Sequence, residues 1–525
     1  MEKPASRTAP ALLSEMAARY PDREFIVDGD IRLSYAAFAG AVRRHSKGLY
    51  ALGMRRGGRM AILMDNRHEW LVAYFAAMSL GVEAVALNTW ATPSELAYQM
   101  RDADVELLVA EDRLRYKALD DVLAGIRAAD GEIACLGGIV TVDGAVAENR
   151  IPFASLPDMG KTVTDGDLAA NTASADDIAC ILYTSGSTSI PKGVPLLHRG
   201  LIDNMWSIGE RMHLSPEDRL WLAVSMFWSF SCVNALFTVM THGGTVVLQH
   251  HFDAGDALRL IEQERCTVFY GLPNMALAMT AHPDRASRNL GSLRTGATIG
   301  TPEQIQRIVD LGVYEICNVY GLTEAYGNSA VIDCRDPLER RLRCSGRALA
   351  GQEIRIVDPE TGAVLPAGAR GEIMIRGNVT PGYLNDPVRT SEVFDAEGWL
   401  HSGDLGVLDD DGYLTFHGRL KELVKTGGIN VAPAEVEKVL VRYQGIDQAW
   451  VTGIPDMRLD EAVAAVIVPA KGAILEPEAL IAFCRESLAA YKVPRHYRFV
   501  AAGDLPLTST GKLQKNRLAD FFRDG

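Results

Sequence analysis

The stretch Tyr183-Thr-Ser-Gly-Ser-Thr-Ser-Ile-Pro-Lys-Gly-Val194 decides how the chain is read. Before it, Ile178 to Tyr183 is short and apolar, the pattern of a buried strand. The hydroxyls of Thr184, Ser185, Ser187, Thr188 and Ser189 follow, interrupted only by Gly186, and then come Pro191, Lys192 and Gly193. Hydroxyls and backbone N–H groups on a Gly-containing turn can donate to phosphate oxygens from several directions, and Lys192 adds a cation. The order differs from a Walker A loop, which needs Gly-x-x-x-x-Gly-Lys followed by Ser or Thr. A flexible Ser/Gly linker has similar composition, but a linker has no reason to follow a strand and to end in Pro-Lys-Gly-Val.

Around this stretch the chain has the profile of a soluble multidomain protein. Its 525 residues exceed a single core, so two or three domains are expected. Hydrophobic content of 48% and charged content of 23% are ordinary globular values. The net charge of −14 disfavours a nucleic-acid or anionic-membrane surface as main partner. Eight cysteines (135, 180, 232, 266, 317, 334, 344 and 484) show no Cys-x-x-Cys spacing. They read as buried thiols of a reducing compartment, not as a disulfide frame or metal site. The N-terminus lacks the apolar core of a secretory signal. The apolar run from Trp70 to Val82 is too short to span a bilayer. A core helix there and a cytoplasmic location are expected.

Periodicity predicts a helix over Ala11 to Tyr20, a hairpin at Val27-Asp-Gly-Asp30, a helix over Leu33 to Leu52 and a strand from Met60 to Met64. Thr92-Pro-Ser-Glu95 and Thr301-Pro-Glu-Gln304 read as capping boxes opening helices. Strands are predicted at Glu106 to Ala110, Gly244 to Leu248, Thr267 to Gly271 and Val313 to Val319, with a helix over Ala254 to Glu264. This alternation implies an α/β protein with parallel sheets. Ile151 to Asp177 reads as a polar connection, and beyond Gln352 short strands with turns suggest an antiparallel or barrel-like unit. From Gly418 to the end a smaller α+β region is large enough for its own core.

The phosphate-loop candidate, taken with Tyr320-Gly-Leu-Thr-Glu324, Trp399-Leu-His-Ser-Gly-Asp404, Gly418-Arg-Leu-Lys-Glu422 and Leu505-Pro-Leu-Thr-Ser-Thr-Gly-Lys512, resembles the signatures of the adenylate-forming superfamily. That superfamily comprises acyl-CoA synthetases, adenylation domains and luciferases, and its acyl-CoA synthetase branch fits best. The one departure in the loop is Ser189, where the family usually has Gly. The resemblance covers nearly the whole chain. It implies a large N-terminal domain (1–418) of two mixed sheets with helices and a distorted β-barrel, a hinge (419–421) and a small α+β lid (422–525).

The resemblance also assigns roles. Thr184, Ser185, Gly186, Ser187, Thr188 and Lys192 would hold the phosphates of ATP. Thr323 would contact the α-phosphate and the carboxylate, and Glu324 would hold Mg²⁺, because a carboxylate beside a triphosphate needs a cation between them. Tyr320 would offer a face to adenine and Asn318 an amide to its edge. Gly321 belongs to the same motif, and Gly296 and Ala297 would line the base from the other side, small so that a planar ring can pass. Asp404 and Arg419 would grip the ribose, although Asp404 alone could be a turn residue capping a local N–H. Lys421 falls at the hinge, with a solvated cluster of Lys421, Glu422 and Lys425 as the alternative. Lys512 matches the catalytic lysine that bridges the acyl carboxylate and the α-phosphate, two anions that must approach one another.

The implied reaction is ATP-dependent formation of acyl-AMP, then transfer to coenzyme A with domain rotation. In the acyl-pocket segment Ser225-Met-Phe-Trp-Ser-Phe230 no acid is present, so an α-amino substrate is disfavoured. Phe227, Trp228 and Phe230 indicate an apolar fatty, alicyclic or aryl acid, unless these rings are merely core. Gly427 and Gly428 would give the pantetheine arm a narrow path. Partners are then a small carboxylic acid, ATP and coenzyme A, with no nucleic acid and no transmembrane segment, and a homodimer is the assembly to consider. Two other readings remain open: a ligase loading a separate carrier protein, and a non-catalytic nucleotide-binding relative.

Overall fold

Nine consecutive apolar side chains, Trp70 to Met78, are buried within the helix His68–Ser79, so this helix has no solvent face. Such a helix needs apolar partners all round. In the computed structural model, which describes residues 2–114, 117–131, 136–143, 150–184, 191–426, 429–456, 459–488, 490–508 and 511–523, two sheets supply them. Met60, Ile62 and Ala84 of one sheet and Ile26, Leu220 and Val246 of the other share a core with this helix. The chain divides into two compact units: Met1–Ile354 with Ile375–Leu400 and Gly412–Leu414, and Arg355–Met374 with His401–Asp411 and Thr415–Gly525.

Both large sheets belong to the first unit. The seven-stranded sheet runs in the order Lys192–Leu197, Ile178–Thr184, Glu83–Ala86, Arg59–Leu63, Leu107–Glu111, Gly138–Val142, Arg150–Pro152. It is parallel except at the first pair. The nine-stranded sheet carries a parallel run from Glu315–Tyr320 through Thr295–Thr298, Val268–Tyr270, Arg219–Leu222 and Thr245–Leu248 to Glu24–Asp28, with antiparallel strands at both edges. Both predicted capping boxes form, at Thr92 with Glu95 and at Thr301 with Gln304.

Two expectations change. The predicted helix from Leu33 begins two residues later, because Ile31–Ser34 is a strand and the Ser34 side chain caps the helix Tyr35–Ala51. The stretch read as a polar connection carries the strand Arg150–Pro152 and the short helices Leu156–Met159 and Asp165–Ala169. It packs on the helix Tyr35–Ala51 so closely that a Cβ on Gly48 would stand 2.3 Å from the Leu156 carbonyl oxygen. Helices of that length are too short to leave a periodic signal.

In the second unit, Ile446–Asp456 and Asp460–Pro469 form a long antiparallel hairpin flanked by Val424–Thr426 and His496–Phe499. Val436, Leu440, Val451, Ile467, Leu480 and Cys484 fill its core. The segment beyond Gln352 forms a four-stranded sheet in chain order, Gln352–Val357, Arg370–Gly377, Leu400–Leu408 and Leu414–Arg419, most of it in this unit. The cysteines among the described residues are all buried, and Cys135 lies outside them. No helix among the described residues is long and apolar enough to cross a membrane.

His198 generates a pH prediction. It opens the helix His198–Arg211, is fully buried, and accepts a hydrogen bond at Nδ1 from the Ala9 N–H at 3.3 Å, fastening the first helix to this one. Burial, opposed in part by the charge of Asp177, holds its pKa down at about 4 against the usual 6.5. Between those values the unfolded chain binds the proton and the folded one does not. The contribution of His198 is therefore complete above pH 6.5 and is lost as pH falls towards 4, by up to about 3 kcal/mol. Thermal unfolding across this range should fall more steeply for the natural chain than for His198→Gln. Parallel curves would remove His198 as the cause.

Candidate functional site

The strands flanking the hydroxyl-rich stretch pair antiparallel, with Tyr183 opposite Gly193 and Thr184 opposite Lys192. Ser185, Gly186, Ser187, Thr188 and Ser189 lie outside the described residues. The hairpin is anchored below by the Tyr183 hydroxyl, which donates to Asp102 Oδ2 at 2.6 Å.

A second strand end meets it. After Glu315–Tyr320, Gly321 is obligatory, because a Cβ there would stand 2.3 Å from the Gly327 carbonyl oxygen. Thr323–Ala325 makes one tight turn and Tyr326 follows at φ +59°. The Tyr326 hydroxyl accepts from the Leu197 N–H at 2.8 Å, which pins the turn to the strand Lys192–Leu197. Gly200 leaves room for it, since a Cβ there would lie 2.1 Å from the Tyr326 ring. Thr323 Oγ1 and Ser229 Oγ approach to 3.3 Å.

Tyr383, which sequence reasoning missed, joins the two sides. Its hydroxyl donates to Glu324 Oε1 at 2.8 Å and accepts from Lys192 Nζ at 3.3 Å, with that ammonium 4.5 Å from the ring centroid. Burial and then the charge of Glu324 push the Tyr383 phenol well up, so it stays protonated as the donor. Thr380 fixes the segment by donating its N–H to the Glu324 carbonyl at 2.6 Å and its hydroxyl to the Pro195 carbonyl at 2.7 Å. The result is a cation and a carboxylate held apart by a neutral phenol, beside a threonine hydroxyl. Such a set can receive both phosphate oxygens and a divalent cation.

The residues expected around a base lie deeper. Gly296 and Ala297 sit in Thr295–Thr298, buried at every position. A Cβ on Gly296 would stand 1.8 Å from the Phe269 carbonyl oxygen, so the neighbouring strand itself demands glycine. Asn318 donates its amide to the Cys344 carbonyl at 3.2 Å, and Tyr320 is 2% exposed.

Phe227 and Trp228 pack with Trp90, at ring-centroid distances of 5.3 Å and 5.4 Å, and Phe230 packs on Tyr270 at 4.5 Å. Phe227 is buried, whereas Trp90, Trp228 and Phe230 are half-buried. The chain leaves Trp228 through a π-helical turn, Ser229–Ala235, an irregularity common at functional sites. Trp90 stands two residues before its helix cap and carried no signal of its own.

In the second unit, Asp404 is buried and Arg419 exposed, with Arg419 Nε 3.5 Å from Asp404 Oδ1. Ser402 Oγ receives the Asp404 N–H at 3.0 Å. Lys512 is held in a tight turn, its N–H donating to Thr508 Oγ1 at 3.0 Å. Crowding around its ammonium, then the like charge of Arg419, lowers the amine's pKa, although the residue as a whole is exposed. Asp404, Arg419 and Lys512 are thus neighbours. Lys421 lies in the short turn Leu420–Glu422, its side chain outside the described residues together with Gly427 and Gly428. Glu422 accepts from Lys515 Nζ at 3.0 Å, and Lys515 also reaches Glu437.

Residues 13–384 match the AMP-binding enzyme family and residues 435–512 match the AMP-binding enzyme C-terminal domain. The chain is 33% identical to the putative acyl-CoA synthetase YngI of Bacillus subtilis, over 97% of this chain and 96% of that one. It is 34% identical to a methyl-dioxo-octahydroindenyl-propanoyl:CoA ligase of Rhodococcus jostii, over 98% of each. Among solved structures, ATP-bound MatB from Rhodopseudomonas palustris superposes with a TM-score of 0.85 at 29% identity, covering 98% of this chain and 99% of that chain.

The ring contacts make a prediction independent of any reaction. Trp90→Ala and Trp228→Ala should couple by about 0.5–1.5 kcal/mol in a double-mutant cycle read by denaturant unfolding. Effects that add within about 0.3 kcal/mol would mean that the rings are energetically separate.

Proposed function

Because the chain belongs to the AMP-binding enzyme family, as an acid–thiol ligase of its acyl-CoA synthetase members, we propose that it activates an apolar carboxylic acid with ATP and passes the acyl group to coenzyme A. In the first step the carboxylate oxygen attacks the α-phosphorus and pyrophosphate leaves, giving acyl-AMP. In the second the coenzyme A thiol attacks the acyl carbonyl and AMP leaves. The observation that carries the reading is the Lys192–Tyr383–Glu324 contact beside Thr323.

On this reading Thr184, Ser185, Ser187, Thr188 and Lys192 take the phosphate oxygens, and Asp404 with Arg419 takes the ribose hydroxyls. Glu324 suits Mg²⁺, since Tyr383 occupies only Oε1, and the ion would offset phosphate charge. Lys512 stands between the carboxylate and the α-phosphate. Burial, then the like charge of Arg419, lowers its pKa, and two approaching anions would favour the charged form. The C-terminal domain turns about Arg419-Leu-Lys421 between the steps, and Gly427 and Gly428 admit the pantetheine arm. The aromatic group of Trp90, Phe227 and Trp228 favours a bulky or ring-bearing acid, and the ring-bearing acyl group in the name of the Rhodococcus ligase points the same way.

Pyrophosphate release should occur with apolar aliphatic, alicyclic or aryl acids, with AMP as coproduct. Release confined to amino acids would defeat the substrate class, and ADP formation would defeat the reaction. Trp228→Ala should move preference towards bulkier acids while leaving ATP binding unchanged. Equal loss with every acid, together with a stability loss of about 3–5 kcal/mol, would make Trp228 core instead.

Lys512→Ala should slow acyl-AMP formation by roughly a hundred- to a thousandfold while still converting supplied acyl-AMP to thioester. Lys421→Pro, which fixes φ at the turning point, should spare adenylation and stall thioester formation. Pyrophosphate exchange and thioester appearance read the two steps separately. Equal loss of both steps in both variants would rule out the division of labour.

A further inference from the structure

Three side chains from both large sheets, none of them assigned a role above, converge. Asp65 follows the strand Arg59–Leu63, Glu111 ends Leu107–Glu111, and His250 follows Thr245–Leu248. The first two strands are parallel neighbours with Leu63 opposite Ala110, so both carboxylates leave the same C-terminal edge. Each of the three residues offers a donor atom within 4.8 Å of the other two. Asp65 is 5% exposed and Glu111 2%, while His250 is exposed enough to leave a path from solvent.

Of the two buried carboxylates, Asp65 is incompletely satisfied. Glu111 Oε1 accepts the Asp65 N–H at 3.0 Å, and Asp65 Oδ1 accepts from the Thr89 hydroxyl at 3.0 Å. Asp65 Oδ2 is buried with no hydrogen-bond partner among the described residues. Arg67 reaches Glu111 Oε2 at 3.4 Å, but it also binds Glu69 with two hydrogen bonds and pairs with Asp143. His250 Nε2 lies 3.4 Å from the same Glu111 oxygen. Buried anions in this condition are expensive unless paired or metal-bound.

We propose that Asp65, Glu111 and His250 form a divalent-cation site for a metal that accepts mixed carboxylate and imidazole ligands, Mn²⁺ or Zn²⁺. The site adjoins the aromatic group of Trp90, Phe227 and Trp228. Asn66 donates to the Val224 carbonyl at 3.0 Å and accepts the Met226 N–H at 2.9 Å, and Thr89 precedes Trp90. A cation here braces the segment that carries Phe227 and Trp228.

The test is a titration of the EDTA-treated, nucleotide-free full-length protein with Mn²⁺, followed by electron paramagnetic resonance, and with Zn²⁺ by calorimetry. One saturable site is expected. Asp65→Asn and His250→Ala should each weaken it by at least about tenfold, the loss that even an outer-shell partner causes, whereas Glu324→Gln should leave it unchanged. Metal should raise the melting temperature of the natural chain and not that of His250→Ala. If Asp65→Asn fails to fold, His250→Ala carries the test, because its side chain is the exposed member. No saturable binding of either ion, or binding that survives both variants or vanishes in Glu324→Gln, would overturn the site.

Discussion

Burial of the helix His68–Ser79 on every face is the constraint from which the first unit follows. Fully burying each large apolar side chain contributes about 1.5–3 kcal/mol, but only if apolar surface waits on all sides. Phe38 and Phe237 meet Phe75 at 5.5 Å and 5.6 Å, and Trp70 meets Tyr74 at 4.7 Å. Two sheets packed on one element have their strand directions fixed with respect to each other. Parallel strands place their C-terminal ends along one edge, where open α/β sheets bind ligands. The turn at Thr323 and Glu324 grows from such an end.

The parts legible in the sequence were those with local chemistry. The capping boxes at Thr92 and Thr301 declare themselves within four residues, and the short apolar run before Thr184 reads as the strand that it forms. Tyr383 was not legible, because its partners Lys192 and Glu324 lie 191 and 59 residues away and nothing in Pro381-Gly382-Tyr383 names them. The strand beside Gly296 excludes a side chain there, a constraint that its own sequence neighbours do not reveal. The short helices after Phe153 escaped because their order comes from packing against Gly48, not from their own pattern.

Charge is arranged differently in the two units. In the first, the Tyr383 hydroxyl lies between two ions, accepting from Lys192 and donating to Glu324. In the second, Arg419 stands near both Asp404 and Lys512, a mixed group in which the lysine meets a like charge. Lys515, by contrast, is engaged by Glu422 and Glu437, which ties the turn Leu420–Glu422 to the body of its own unit.

The antiparallel pairing of Thr184 with Lys192 also separates what folding enforces from what it leaves free. The hydrogen bonds of the hairpin clamp the two ends of the intervening span, and the entropy of closing such a span grows only logarithmically with its length. Doubling it costs about 0.6 kcal/mol, a small fraction of a domain's stability. Thermodynamic stability therefore exerts almost no pressure on the number of residues between the clamps. For folding alone, a longer span between the same two clamps would cost little.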